Sequence, residues 1–97
     1  MNLQIDDVGP DIVNVSWNAE EYLKQRVHQV SLVVEHPGDP SPVTIAIVNS
    51  SLSKASISTN LIPSTNYLIY IMDISQTIKL SAVQNVTTTK GGQLDGI

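Results

Sequence analysis

Apolar and polar residues alternate with period two over short stretches, and turn residues interrupt the alternation about every ten positions. That is the pattern of a sandwich or barrel of short strands, and seven strands are predicted. The first, Leu3 to Val8, stops at Gly9-Pro10, where proline withholds a ladder donor. In the second, Ile12 to Asn18, the residues Val13, Val15 and Trp17 share one face while Asn14, Ser16 and Asn18 share the other. Ala19 to Arg26 reads as a long loop: Glu20 and Lys24 suit one helical turn, but the stretch is too short to hold a helix by itself.

The third strand, Val27 to Glu35, sets Val30, Leu32 and Val34 against Gln29, Ser31 and Val33, and it ends in a turn with three prolines between His36 and Pro42. Val43 to Val48 is the fourth, with Val43, Ile45 and Ile47 on one side and Thr44, Ala46 and Val48 on the other. Lys54 to Asn60 is the weakest, its only apolar pair being Ala55 and Ile57; Tyr67 to Asp73 is the strongest, and Ile78 to Thr89 closes the set. Residues 1–90 form the predicted domain. The tail 91–97, with three glycines, reads as a linker or frayed end.

Composition agrees with strands. Val, Ile and Thr supply 29 of the 97 residues, and Phe is absent. Lys and Arg number 5 against 9 Asp and Glu, so the net charge of −4 gives no basic field for nucleic acid. The longest unbroken apolar run, Tyr67 to Met72, is far too short to span a bilayer as a helix, so no membrane segment is expected in this stretch. With no cysteine, disulfides, thiolate metal sites and thiol catalysis are all excluded.

Two local features narrow the sandwich. One is the tryptophan ending Val13-Asn14-Val15-Ser16-Trp17; the other is Leu61-Ile62-Pro63-Ser64-Thr65-Asn66-Tyr67 leading into Ile69 and Ile71. Together they resemble the fibronectin type III family, which places a tryptophan on strand B and writes its E–F turn as Leu-x-Pro-x-Thr-x-Tyr. The resemblance covers roughly residues 3 to 89. It implies an all-β, seven-stranded immunoglobulin-like β-sandwich of fibronectin type III topology, with Trp17, Leu61, Pro63, Thr65, Tyr67 and Ile69 as its core and fold signature. By that pattern the Tyr67 ring enters the core and its hydroxyl returns to nearby backbone. The family's aliphatic before the turn is Ser58 here, with Ile57 displaced by one, so a bulge or extra residue is expected near Thr59-Asn60.

No catalytic set assembles. His28 and His36 lie eight residues apart, roughly 26 Å of extended chain, too far for one metal. Asp6-Asp7 and Glu20-Glu21 are adjacent pairs whose members would point to opposite faces of a strand, and no phosphate loop, nucleophile elbow or calcium loop occurs. The chain is therefore read as no enzyme, with no catalytic residue, cofactor or metal.

Two signals rise above background. Asn-x-Ser/Thr occurs at Asn14, Asn49 and Asn85, where composition alone predicts about 1.3 such triplets. Glycans at these sites imply a secretory route and an extracellular or cell-surface setting. The second signal is the sixth strand: with Tyr67, Ile69 and Ile71 inward, Leu68, Tyr70 and Met72 face out, joined by Val33 and by Leu80 or Val83. An exposed apolar face of that kind marks an interface. The expected function is thus a non-catalytic adhesion or protein-interaction module of a larger receptor or matrix protein, monomeric in isolation, contacting a protein partner or neighbouring domains. The alternatives are a passive spacer of a secreted enzyme or receptor-enzyme ectodomain, and, with the Asn triplets bare, an intracellular structural repeat.

Overall fold

The computed structural model describes residues 1–38, 43–58 and 61–90, with the backbone alone described at 43–45. Its strands are β1 (Gln4–Val8), β2 (Val13–Ser16), β3 (Gln29–Glu35), β4 (Val43–Asn49), β5 (Lys54–Ile57), β6 (Asn66–Met72) and β7 (Gln84–Thr87). They form two antiparallel sheets, one ordered β1-β2-β5 and the other β4-β3-β6-β7. Of the sandwich or barrel that the alternation allows, this is the seven-stranded β-sandwich that the resemblance implies. The expected bulge at Thr59-Asn60, the turn residues Asp39 to Pro42 and the tail 91–97 lie outside the described residues.

The inward residues are those that parity selects. Val13 and Val15 from one sheet meet Val30, Leu32, Ile69 and Ile71 from the other, all at most 1% exposed. Full burial of each such aliphatic contributes about 1.5–3 kcal/mol against the entropy of folding. Trp17 and Tyr67 belong to the same interior, both 4% exposed. The indole Nε1 donates to the Ser50 carbonyl at 2.7 Å, and the Ser50 hydroxyl donates to the Val27 carbonyl at 2.6 Å. A buried indole N–H without such a partner would cost about 1–3 kcal/mol.

Three expectations are corrected. Ala19 to Arg26 is no loop: residues Ala19–Lys24 form helix α1. Asn18 caps it by accepting from the Glu20 amide, Glu20 and Glu21 sit in its first turn and Lys24 in its last. What makes so short a helix stable is tertiary: Tyr22 is fully buried in the core, and its hydroxyl donates to the Asn2 carbonyl at 2.7 Å. The last strand is shorter than Ile78 to Thr89. After a single bridge between Met72 and Lys79, the amides of Leu80 and Ser81 both reach the Ile71 carbonyl while the Ser81 hydroxyl accepts from the Ile71 amide. That side chain replaces a ladder rung and breaks the pairing until Gln84. The third concerns the outward face of β6 and is taken up with the site.

The E–F corner closes the opposite end. The Tyr67 hydroxyl accepts from the Ile62 amide at 2.9 Å, returning the polar tip to backbone five residues upstream. Thr88, 3% exposed, donates its hydroxyl to the Ile62 carbonyl at 2.6 Å and accepts from the Thr65 amide at 2.9 Å. Thr65 in turn donates its hydroxyl to the Pro63 carbonyl, and Ser64, at φ 54°, sits in the left-handed region that the tight turn requires. Leu61 packs half-buried against the core, whereas Pro63 is exposed. The described chain runs end to end through the sandwich. The Met1 amino group meets the Leu80 carbonyl after the β6–β7 turn, and Thr89 meets Gly9 and Ser64 at the other end.

Candidate functional site

The outer face of the four-stranded sheet is set by register. Opposite Ser31 stand Ile47 on β4 and Met72 on β6; opposite Val33 stands Tyr70; opposite Glu35 stands Leu68, which in turn faces Asn85 on β7. These residues alternate with the core series Leu32, Val34, Ile69 and Ile71, and none of them belongs to the core cluster.

Their exposure departs from expectation. Val33 and Tyr70, read as an open apolar surface, are only 1% and 2% exposed. The physical reason is cover by long neighbours on the same face. The Lys79 ammonium lies 4.8 Å from the centre of the Tyr70 ring, and the Tyr70 hydroxyl donates to Glu35 at 3.4 Å. Burial, and then the Glu35 charge, push the Tyr70 phenol above its ordinary value. Leu68 and Met72 are half-buried, and the open apolar residue is Ile47, at 56% exposure. Leu80 packs against the core and adds nothing to the face, while Val83 is exposed. Ser31 is fully buried within the Ile47 and Met72 row, and its hydroxyl has no hydrogen-bond partner among the described residues.

Ile47, Glu35 and Lys79 were not singled out by the sequence. Parity alone leaves β4 undecided because the ladder slips between Leu32 and Val33, where the partners step from Ala46 to Thr44.

The three asparagine triplets occupy different settings. Asn14 is half-buried on β2, the middle strand of its sheet; its Oδ1 accepts from Ser56 at 2.6 Å, and the Ser16 hydroxyl donates to Asp6 at 3.0 Å. Asn49 is exposed and precedes the 3-10 helix Ser50–Leu52 without bonding to it. Asn85 is exposed on β7. The Asn66 side-chain amide donates to its Oδ1 and, at 3.1 Å, to the Thr87 hydroxyl.

The remaining polar features lie away from this face. Asp73 accepts from the Ser75 and Thr77 hydroxyls and from the Ile78 and Thr77 amides, and it thereby builds the β6–β7 turn. The Ser75 bond, followed by the Ile78 amide, holds its carboxyl well below the usual carboxylate range. An open groove of about 470 Å³ crosses the outer face of the three-stranded sheet, with Asp6, Asp7, Asn14, Lys54 and Ser56 on its walls. The edge of the His36 ring meets Tyr67 at 5.5 Å, while His28 lies exposed at the foot of β3. Among the described residues no cluster of His, Asp and Glu has the make-up of a metal site, and no helix is long and apolar enough to cross a membrane.

No protein-family model matches the chain, and no curated protein matches it. Solved structures do. It is similar to the fn3 domain of human contactin 1, with a TM-score of 0.74 and 18% identity over 99% of this chain and 81% of that one. It is also similar to a β-sandwich protein from a computer-based redesign, with a TM-score of 0.67 and 17% identity over 100% of this chain and 95% of that one. At such identities the likeness is one of fold. The Trp17 core, the Tyr67 corner and the two sheets ordered β1-β2-β5 and β4-β3-β6-β7 agree with it, and the chain has the fibronectin type III fold.

Proposed function

We propose that this domain is a non-catalytic interaction module of a larger extracellular or cell-surface protein, meeting its partner through the outer face of the four-stranded sheet. The observation that carries the reading is Ile47. It is an aliphatic residue more than half exposed, in one row with the buried Ser31 of β3 and, on the far side of Ser31, the half-buried Met72. An exposed aliphatic next to a half-buried methionine row is apolar area that a partner can cover. The interface set read from the sequence, Val33, Leu68, Tyr70 and Met72, thus becomes Ile47 and Met72 as contact residues, with Val33 and Tyr70 as their floor and Leu68 at the β7 margin. Three Asn-x-Ser/Thr triplets, two of them with exposed asparagines, support the extracellular setting.

The same end-to-end path suits a passive spacer in a secreted enzyme or a receptor-enzyme ectodomain, which needs no contact face at all. Beads coated with the domain decide between the two when tested for adhesion to cells and to flanking domains of the parent chain. Ile47→Lys and Met72→Lys abolish retention if the face binds. Retention that is absent in the wild type, or equal in the variants, leaves the spacer.

A further inference from the structure

We infer that Asn85 is an N-glycan acceptor and that the first sugar attached there packs on Leu68, closing the β7 end of the outer face and confining any protein contact to the Ile47 and Met72 end. The inference rests, for its natural setting, on the extracellular reading above. Asn85 and Thr87, the first and third members of the triplet, are both exposed and both bonded by the Asn66 amide on the outer face. The Asn85 Oδ1 is engaged, so its Nδ2 is the atom left without a hydrogen bond among the described residues. Directly across the ladder stands Leu68, half-exposed. Facing residues of antiparallel strands hold their Cβ atoms about 4.5–5.5 Å apart, so a pyranose on Asn85 begins within reach of the Leu68 methyls.

The C–H face of that sugar removes apolar area from water as a side chain would. Neither other triplet offers this. The ladder partners of Asn14 are Asp7 and Ser56, both polar, and Asn49 ends its strand at a turn. In the transfer, the Asn85 Nδ2 attacks C1 of the N-acetylglucosamine on a polyprenyl-diphosphate oligosaccharide. The C–N bond forms as the C1–O bond breaks, the lipid diphosphate leaves, and one amide proton passes to a base.

The domain is expressed behind a cleavable secretion leader in eukaryotic cells, in an Asn14→Gln, Asn49→Gln background, and its glycan is trimmed to one sugar. Intact mass then shows one N-acetylglucosamine, lost in Asn85→Gln. The sugar-bearing domain melts about 4 °C above its Asn85→Gln counterpart, and Leu68→Thr removes that difference. Should Leu68→Thr not fold, NOEs from the sugar protons to the Leu68 methyls give the same answer. An unmodified Asn85, or a modified one with equal melting and no such NOEs, overturns the inference. The leader carries the chain to the transferase whatever its natural compartment. A bare Asn85 therefore refutes this site alone, whereas an occupied Asn85 in a protein found naturally inside the cell refutes the extracellular reading.

Discussion

Replacing Tyr67 by Phe isolates the polar half of the E–F corner. The ring stays, so its burial and its edge contact with His36 are kept, and the apolar terms cancel between the two proteins. What disappears is the 2.9 Å bond from the Ile62 amide to the phenol oxygen. An amide left unpaired in a buried site costs about 1–3 kcal/mol. The Ile62 side chain is 60% exposed, so water reaches this peptide and the expected loss is the lower part of that range, about 1–2 kcal/mol. For a domain of this length that lowers Tm by roughly 4–16 °C.

Thr88→Val tests the same loop from the other side, because the Thr88 hydroxyl holds the Ile62 carbonyl and the Thr65 amide. Both side chains fix one residue, so the two substitutions together should cost less than their sum, with a coupling of about 0.5 kcal/mol or more. Equilibrium urea unfolding, followed by Trp17 fluorescence, gives all four free energies. The reasoning fails if Tyr67→Phe stays within about 0.3 kcal/mol of the wild type, or if the double mutant is strictly additive.

Other outcomes follow from the same contacts. Trp17→Ala should cost about 3–5 kcal/mol in urea unfolding, because it opens the core and strands the Ser50 carbonyl; a loss under about 1 kcal/mol would contradict the buried indole. Tyr22→Ala should melt helix α1 together with global stability, whereas Leu23→Ala on the exposed side should not; far-UV circular dichroism and urea midpoints separate the two. Asp73 has a folded-state pKa below its unfolded value of about 3.9, so its contribution is complete above that value and is lost as pH falls toward the folded one. Asp73→Asn should therefore flatten the decline of the urea midpoint below about pH 4, and an unchanged pH profile would remove that role for the carboxylate.

The architecture was legible in the sequence wherever one strand face is dry and the other wet. Val13, Val15 and Trp17 alternate with Asn14 and Ser16, and the structure buries the first set and leaves the second at the surface or half-exposed. The E–F turn was legible through its resemblance to Leu-x-Pro-x-Thr-x-Tyr, in which Thr65 and Tyr67 each bond to backbone here. Helix α1 was missed since its stability comes from Tyr22 entering a core built by strands far away, a tertiary effect that local propensity does not contain. The truncation of the last strand turns on one hydroxyl, that of Ser81, which accepts from the Ile71 amide in place of a ladder carbonyl. On the candidate face, parity gave direction but not exposure. Whether Tyr70 is wet depends on Glu35, which reaches it from β3, and on Lys79, which reaches it from the segment after the β6–β7 turn.

The central claim is that a single interior between two sheets holds Trp17, so that function is left to the surface. Acrylamide quenching of the lone tryptophan, measured along a urea titration, tests it most directly. The account predicts blue-shifted emission, shielded from quencher until one cooperative transition that coincides with loss of the β-sheet signal. Emission that is red-shifted and freely quenched in buffer, before any unfolding, would contradict it.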